Sequence, residues 1–440
     1  MTTSTRSPIS VPAYLVLGAL TMITPLSTNL YVPALPTLAR AFDATPAAAQ
    51  LTVSAALIGI ALGQLVIGSI SDRLGRRGPA LVGTAAFVVA SLLCAVAPSL
   101  PVLIGLRFVQ GFAGASGVVL ARASIRDRVS GPLAAQALSR LLIVAAIGPV
   151  IGPFLGALAL RVIDWHGVFV VLAVMGAIAF LLSLRWFPET LRHAAGSMPS
   201  REDVHAARQR LFRDRRFWGF VAVTGLLGTL SFTWLSSGSF YFASVYGLDA
   251  TAAALIYGFT SLCFLFSAWV NSRAVLRVGA RRALLRGLVV IAIGCTVLLL
   301  TTLLHGPLVL ALLGLALSFG SYGGMIANAQ ALAMNAHGDA AGTASAFLGS
   351  SQFLFGAFIP PLVTLAFGAT WALAASMLTA AALAFTLTAI AGRRTAVARE
   401  ITPDPVVEFG EDLGVRCDHR DANQAVRADA YAAPEPHVSF

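Results

Sequence analysis

Gly68-Ser69-Ile70-Ser71-Asp72-Arg73-Leu74-Gly75-Arg76-Arg77 joins two long apolar stretches, 46–70 and 79–97. One carboxylate, three arginines and two glycines share a turn too short to be a domain, with hydrocarbon-compatible residues on each side. Such a turn belongs at a membrane face, where it stays hydrated while its flanking helices cross the bilayer. The reading of this stretch sets the reading of the chain: membrane-spanning helices linked by charged turns.

Composition agrees. Of 440 residues, 57% are hydrophobic and 11% charged, against about 25% charged in an ordinary soluble domain. Twelve apolar segments are long enough to cross about 30 Å of hydrocarbon as helices: 12–36, 46–70, 79–97, 101–124, 134–160, 166–187, 217–243, 252–273, 282–303, 307–333, 341–367 and 370–391. The expected fold is therefore an all-α integral membrane protein of twelve transmembrane helices in two six-helix bundles. Net charge is +11 and every basic residue is arginine. The arginines concentrate in alternate loops, which speaks for a membrane topology with both termini cytoplasmic and against nucleic acid as a partner.

The chain divides into a cytoplasmic N-terminus (1–11), a first six-helix bundle (12–187), a cytoplasmic linker (188–216), a second bundle (217–391) and a tail (392–440). The linker carries seven arginines and four acids and has room for a short amphipathic helix on the membrane surface. The polar, proline-containing tail reads as disordered. Leu276-Arg277-Val278-Gly279-Ala280-Arg281-Arg282 echoes the opening motif without its aspartate, as two repeated halves would, with substrate held between them. Cys94, Cys263 and Cys295 lie in apolar segments and read as small buried hydrophobes; Cys417 lies in the tail. No segment holds a mid-span His/Asp/Glu cluster for metal or acid–base chemistry, so an enzyme is not expected.

Four motifs carry a resemblance over 12–391. They are the opening loop; Arg107-Phe108-Val109-Gln110-Gly111; Gly148-Pro149-Val150-Ile151-Gly152-Pro153-Phe154-Leu155-Gly156; and the set Asn29-Leu30-Tyr31-Val32-Pro33, Ala121-Arg122-Ala123-Ser124-Ile125-Arg126-Asp127 and Pro188-Glu189-Thr190. The chain resembles the major facilitator superfamily, in its twelve-helix drug:proton antiporter group, and is most similar there to Bcr/CflA-type multidrug efflux transporters. The resemblance implies secondary active export of small amphipathic drug-like compounds by alternating access. It implies a proton gradient as driving force, no cofactor or metal, a monomer, and a place in the bacterial inner membrane. It also implies that Asp72, Arg73, Gly75, Arg76 and Asp127 form a gating latch against the start of segment eleven. Gly148, Pro149, Gly152, Pro153 and Gly156 would form the antiporter motif, a smooth and bendable helix face.

Arg107 is a cation about 9 Å inside its helix, expensive to bury, and should face a cavity or a partner. With Asn29, Tyr31 and Gln110 it forms the candidate coupling or substrate group. Relatives carry an aspartate where this chain has Asn29, which cannot titrate. The carboxylates left for proton coupling are Asp72, Asp127 and Asp43, and facilitative or differently coupled export of a metabolite is the alternative. Hydroxyls interleaved with aromatics along 231–242, with polar residues of later segments, outline a substrate cavity from Trp234, Ser237, Tyr241, Tyr257, Asn328 and Gln352.

Overall fold

The structure, a computed structural model, describes residues 11–129, 131–191, 206, 209–335 and 341–401. Twelve helices are long and apolar enough to cross a membrane. We number them α1 (Pro12–Ala41), α2 (Pro46–Leu74), α3 (Arg77–Ala95), α4 (Leu100–Arg128), α5 (Gln136–Val162), α6 (Trp165–Trp186), α7 (Arg215–Tyr246), α8 (Ala250–Val278), α9 (Ala280–Leu303), α10 (Leu308–Met334), α11 (Gly342–Gly368) and α12 (Trp371–Ala391). They build one unit through Arg393; Arg394–Phe440 form a second, of which only the helical stretch to Ile401 is described. The N-terminus to residue 10, most of the linker, the tail from 402 and Cys417 lie outside the described residues.

Span ends follow local chemistry. Thr45, Asp214 and Asp249 cap the starts of α2, α7 and α8 by accepting the N–H of Ala48, Arg216 and Ala252. The segment expected at 217 starts at Arg215, because Asp214 supplies that cap. α1 is not one straight helix. Its first part ends at Asn29, a 3₁₀ turn covers Val32–Ala34, and a short helix runs from Leu35 to Ala41. Pro33 and Pro36 lack the N–H groups that Asn29 and Val32 carbonyls would need, which breaks the ladder there. The span therefore continues five residues beyond the expected 36.

Gly75 and Gly279 end α2 and α8 in matching backbone conformations, φ 88°/ψ 173° and φ 78°/ψ 149°. A positive φ favours glycine, so the two loop motifs repeat in geometry as well as in sequence. Residues with large exposed side chains, such as Val82, Leu181, Leu262 and Leu365, give the spans an apolar outer surface suited to hydrocarbon. Cys94 and Cys295 are buried as expected, whereas Cys263 is only half-buried.

Candidate functional site: a charged cluster, a buried arginine and a neutral seam

The opening loop closes on itself around Arg76, whose side chain is 7% exposed. Its Nη1 donates to Asp72 at 2.6 Å and to Ser71 at 2.7 Å. Its Nε and Nη2 donate to the two oxygens of Asp127 at 2.9 and 3.4 Å. Thr190 adds a hydroxyl to Asp127 at 3.0 Å. Burial alone would pull Arg76 down, but the carboxylates of Asp127 and Asp72 outweigh it and raise its proton affinity. The two acids are not equivalent: Asp127 is 18% exposed and Asp72 66%. Arg73, on the last turn of α2, takes no part in these bonds.

All three charged residues belong to the first six helices. The expected partner at the start of α11 meets Asp72 across a cavity of about 530 Å³, whose walls include Gly68, Asp72, Arg122, Arg126, Gly342 and Thr343. The end of α2 and the start of α11 thus face each other without a direct bond from Asp72 among the described residues.

Glu189 completes this end in a way its sequence position did not disclose. Its carboxylate accepts the backbone N–H of Arg76 at 2.8 Å and of Arg77 at 3.1 Å, capping α3 from a distant loop. A side chain at position 75 would overlap it, a second reason for glycine there. Burial pushes the Glu189 carboxyl up, but the N–H groups of Arg76, Leu191, Arg77 and Thr190 outweigh it and hold it below the usual carboxylate range. Pro188-Glu189-Thr190 marked the place in sequence; only the loop's return to α3 reveals what it holds.

Inside the membrane, Arg107 is fully buried. Its guanidinium lies over the Tyr31 ring at 4.5 Å and near Phe169 at 5.7 Å. It donates to Gln110 Oε1 at 2.5 Å and lies 3.4 Å from Ser27 O. Gln110 passes the chain to Ser91 at 2.7 Å, and the Tyr31 hydroxyl pairs with Thr52 at 2.7 Å. Tyr31, Arg107 and Gln110 therefore form one group. Asn29 stands outside it, donating to Pro25 O at 2.8 Å and to Thr28. No carboxylate bonds Arg107: among the described residues every Asp and Glu lies in a loop, at a span end or beyond α12.

The antiporter motif lies on α1. Gly148 faces Pro25, Gly152 faces Asn29 and Gly156 faces the Leu30 carbonyl, each too close to admit a Cβ. Pro153 has no N–H for the Pro149 carbonyl, and Ser261 of α8 comes within 2.9 Å of that free acceptor. Ser239 of α7 lies 3.4 Å from the Val32 carbonyl, which the Leu35 N–H also reaches. Gln50 Nε2 donates to Ser237 at 3.2 Å, and Ser350 of α11 donates to Ala61 O at 3.1 Å. These bonds tie the first six helices to the last six, and all four are neutral; at the exposed rim Arg161 of α5 also donates to the Thr251 hydroxyl of α8 at 3.1 Å. Gln50 was not singled out in the sequence, although an amide deep in an apolar run demands a partner.

The candidate substrate residues fall into several contact groups. Trp234, Tyr257 and Phe319 form one aromatic group, with Trp234 and Tyr257 centroids 4.7 Å apart. Ser237 meets Gln50. Tyr241 is buried and bonded to Thr302 at 2.8 Å, and its ring meets Phe242 at 5.1 Å, which in turn meets Trp234 at 5.9 Å. Asn328 and Asn271 exchange amide bonds at 2.8 and 3.2 Å. Gln352 backs onto Gly228. Ser239 and Phe240, from the same stretch of α7, line a cleft of about 700 Å³ at the opposite end from the charged cluster, with Thr37, Arg40, Asp43 and Asp249.

Comparison with known proteins agrees with this architecture. The Major Facilitator Superfamily model matches residues 17–360. The "Uncharacterized MFS-type transporter YdgK" of Bacillus subtilis is 32% identical over 79% of this chain and 87% of its own. The "Bicyclomycin resistance protein homolog" of Haemophilus influenzae is 29% identical over 79% and 88%. In fold, the crystal structure of a bacterial homolog to the human lysosomal transporter Spinster, inward-facing and unoccupied, aligns with TM-score 0.68 at 16% identity over 87% of this chain and 98% of that one. With a family model spanning most of its length and twelve helices in the matching architecture, this chain belongs to the Major Facilitator Superfamily.

Proposed function

We propose that this protein is a drug-efflux carrier that works by alternating access. Its two six-helix halves rock about the neutral seam, and the arginine-rich end faces the bacterial cytoplasm. The observation that carries this reading is the pair of cavities, about 700 Å³ and 530 Å³, at opposite ends of the same contact between halves. The seam of Gln50, Ser239, Ser261 and Ser350 lies between them. A carrier needs such a seam, because bonds worth about 1 kcal/mol each can be broken and remade in every cycle. Efflux of drug-like compounds is supported by the relative named for bicyclomycin resistance. Asp72, Arg76 and Asp127 act as the gating cluster, Glu189 holds their loop in place, and the monomer is the working unit.

Proton antiport is the leading mode of coupling, through Asp72, Asp127 or Asp43. The Arg107 group favours a second reading, in which export is facilitative or coupled through the cargo's own charge, because Asn29 supplies no titratable group and Arg107 has no acid partner. Transport by the full chain in proteoliposomes, against a drug panel that includes bicyclomycin and with an imposed pH gradient, separates the two. Antiport requires uphill movement driven by the gradient and abolished by a protonophore. Movement that ignores the gradient selects the second reading, and no movement of any panel compound refutes the drug-carrier assignment.

A further inference from the structure

The cavity at the charged end has more positive charge than the gating cluster uses. Three arginines and two aspartates line it: Arg76, Arg122, Arg126, Asp72 and Asp127. Both aspartates are engaged by Arg76. Arg122 and Arg126, one turn apart on α4, are both exposed to the cavity, and neither has a carboxylate within 4 Å among the described residues. Like charges at this spacing repel by a few tenths of a kcal/mol. Arg126 and Arg128 suffice to complement the end of the α4 dipole. Arg122 lies a further turn and more inside, where a cation is costly unless something answers it.

The other wall is the first described stretch of α11, with Gly342, Thr343 and Ser345, none of which carries a charge to answer the arginines. The edge of the cavity along α2 is apolar: Leu65 lines it, while Val66 and Ile70 beside it are 42% and 41% exposed. A cationic hollow at the end of membrane spans, bordered by exposed aliphatic side chains, fits an amphiphile with a negative head and a hydrocarbon body. Basic hollows between membrane helices take anionic headgroups.

We propose that this cavity binds the phosphate headgroup of an anionic phospholipid. Arg122 and Arg126 pair with the phosphodiester, and an acyl chain lies along Val66 and Ile70. The lipid then touches α4 of the first half and α11 of the second, so its occupancy favours closure of this end. The apolar edge favours a lipid over free phosphate, which has nothing to place there.

The test is native mass spectrometry of the purified full chain in detergent, titrated with phosphatidylglycerol, cardiolipin, phosphatidylethanolamine and phosphatidylcholine in turn. No transport substrate is present, so the outcome is independent of the carrier reading. The wild type should hold the two anionic lipids at least about tenfold more tightly than the zwitterionic ones: all four present a phosphodiester, but the ammonium of the zwitterionic heads sets a like charge near the two guanidiniums, and one decade needs only about 1.4 kcal/mol of such repulsion. Arg122→Gln/Arg126→Gln should remove that preference. Arg122→Lys/Arg126→Lys should keep most of it, and Arg282→Gln/Arg286→Gln, with the same charge change elsewhere, should keep all of it. Equal anionic binding in wild type and the glutamine pair overturns the proposal, as does a wild type without preference, which needs no variant to fold. Displacement of the lipid by millimolar inorganic phosphate overturns the lipid assignment.

Discussion

Asp127→Asn and Asp72→Asn should have different consequences, although both remove a carboxylate from the same arginine. Asp127 meets Arg76 through two nitrogens at 2.9 and 3.4 Å and is 18% exposed, while the Arg76 side chain is 7% exposed. Removing one partner of a buried pair costs about 3–5 kcal/mol. The residual exposure of Asp127 puts this case at the lower end, about 3 kcal/mol, or about a hundredfold. Asp72 is 66% exposed. Its ion pair and its attraction to the start of α11 are each worth at most about 1 kcal/mol, or about fivefold. Two readouts separate the effects. Thermal unfolding in detergent reports the integrity of the first half. Maleimide labelling at Ser345→Cys, after removal of the native cysteines, reports access to the charged-end cavity. Asp127→Asn should lower the unfolding midpoint markedly. Asp72→Asn should leave it near wild type and raise labelling by no more than about fivefold. If Asp72→Asn destabilises as much as Asp127→Asn, or if neither moves either readout, these charges are screened surface groups and the gating cluster is wrong.

Other consequences follow from single contacts. The Glu189 carboxyl lies below its ordinary range, so its stabilisation is whole above about pH 4.3 and is lost as pH falls through the lower folded value. Glu189→Gln should therefore melt below wild type at pH 7, by at most about 1 kcal/mol for this exposed group, and the two curves should converge in strongly acidic buffer. Gly152→Leu would drive a side chain into Asn29 and should cost about 1–3 kcal/mol, seen as loss of both stability and drug resistance. Ser261→Ala withdraws a donor from the Pro149 carbonyl; because that hydroxyl also lies 2.8 Å from Tyr257 O, the cost should stay near 1 kcal/mol and appear as a change in cavity access with an unchanged fold. Asn29→Asp can keep the bond to Pro25 O only when protonated, so the pH dependence of transport in proteoliposomes should shift from that of the wild type; identical pH profiles would place Asn29 outside the coupling route.

Membrane architecture was legible because hydrocarbon imposes one rule along the whole chain: a span must be a helix of sufficient apolar length. The Asp72–Arg76–Asp127 group was legible because its members lie at span ends, where few charges compete for partners. Arg107 was legible as costly, yet its answer, the Tyr31 face and the Gln110 amide, depends on how α1 and α4 are rotated. Span hydropathy does not encode that rotation. The contact partners of the substrate candidates were hidden for the same reason. A hydroxyl on α7 can turn to its own helix, to α8 or across the seam, and Ser237 and Tyr241, four residues apart, turn to Gln50 and to Thr302. The role of proline was half visible: Pro153 signals a broken ladder, but only the fold supplies Ser261 as the donor that approaches the freed Pro149 carbonyl.

Strong and weak contacts divide differently within and between the halves. The ionic contacts of Arg76 join helices and loops that move together, so they set the shape of one half. Two of the contacts between halves use hydroxyls that have a second acceptor nearby, and one of these meets the carbonyl that Pro153 leaves without its helical donor. Ser261 lies between Pro149 O and Tyr257 O, and Ser239 between Val32 O and the Tyr257 hydroxyl. Breaking such a bond returns its proton to an acceptor on the same half, so the net cost falls below the roughly 1 kcal/mol of an ordinary hydrogen bond. A seam joined instead by a pair like Arg76–Asp127 would oppose each opening by about 3 kcal/mol, slowing the cycle about a hundredfold. With the Arg76 ion pairs inside one half and switchable hydroxyls such as Ser239 and Ser261 between halves, a tightly packed carrier can open at either end.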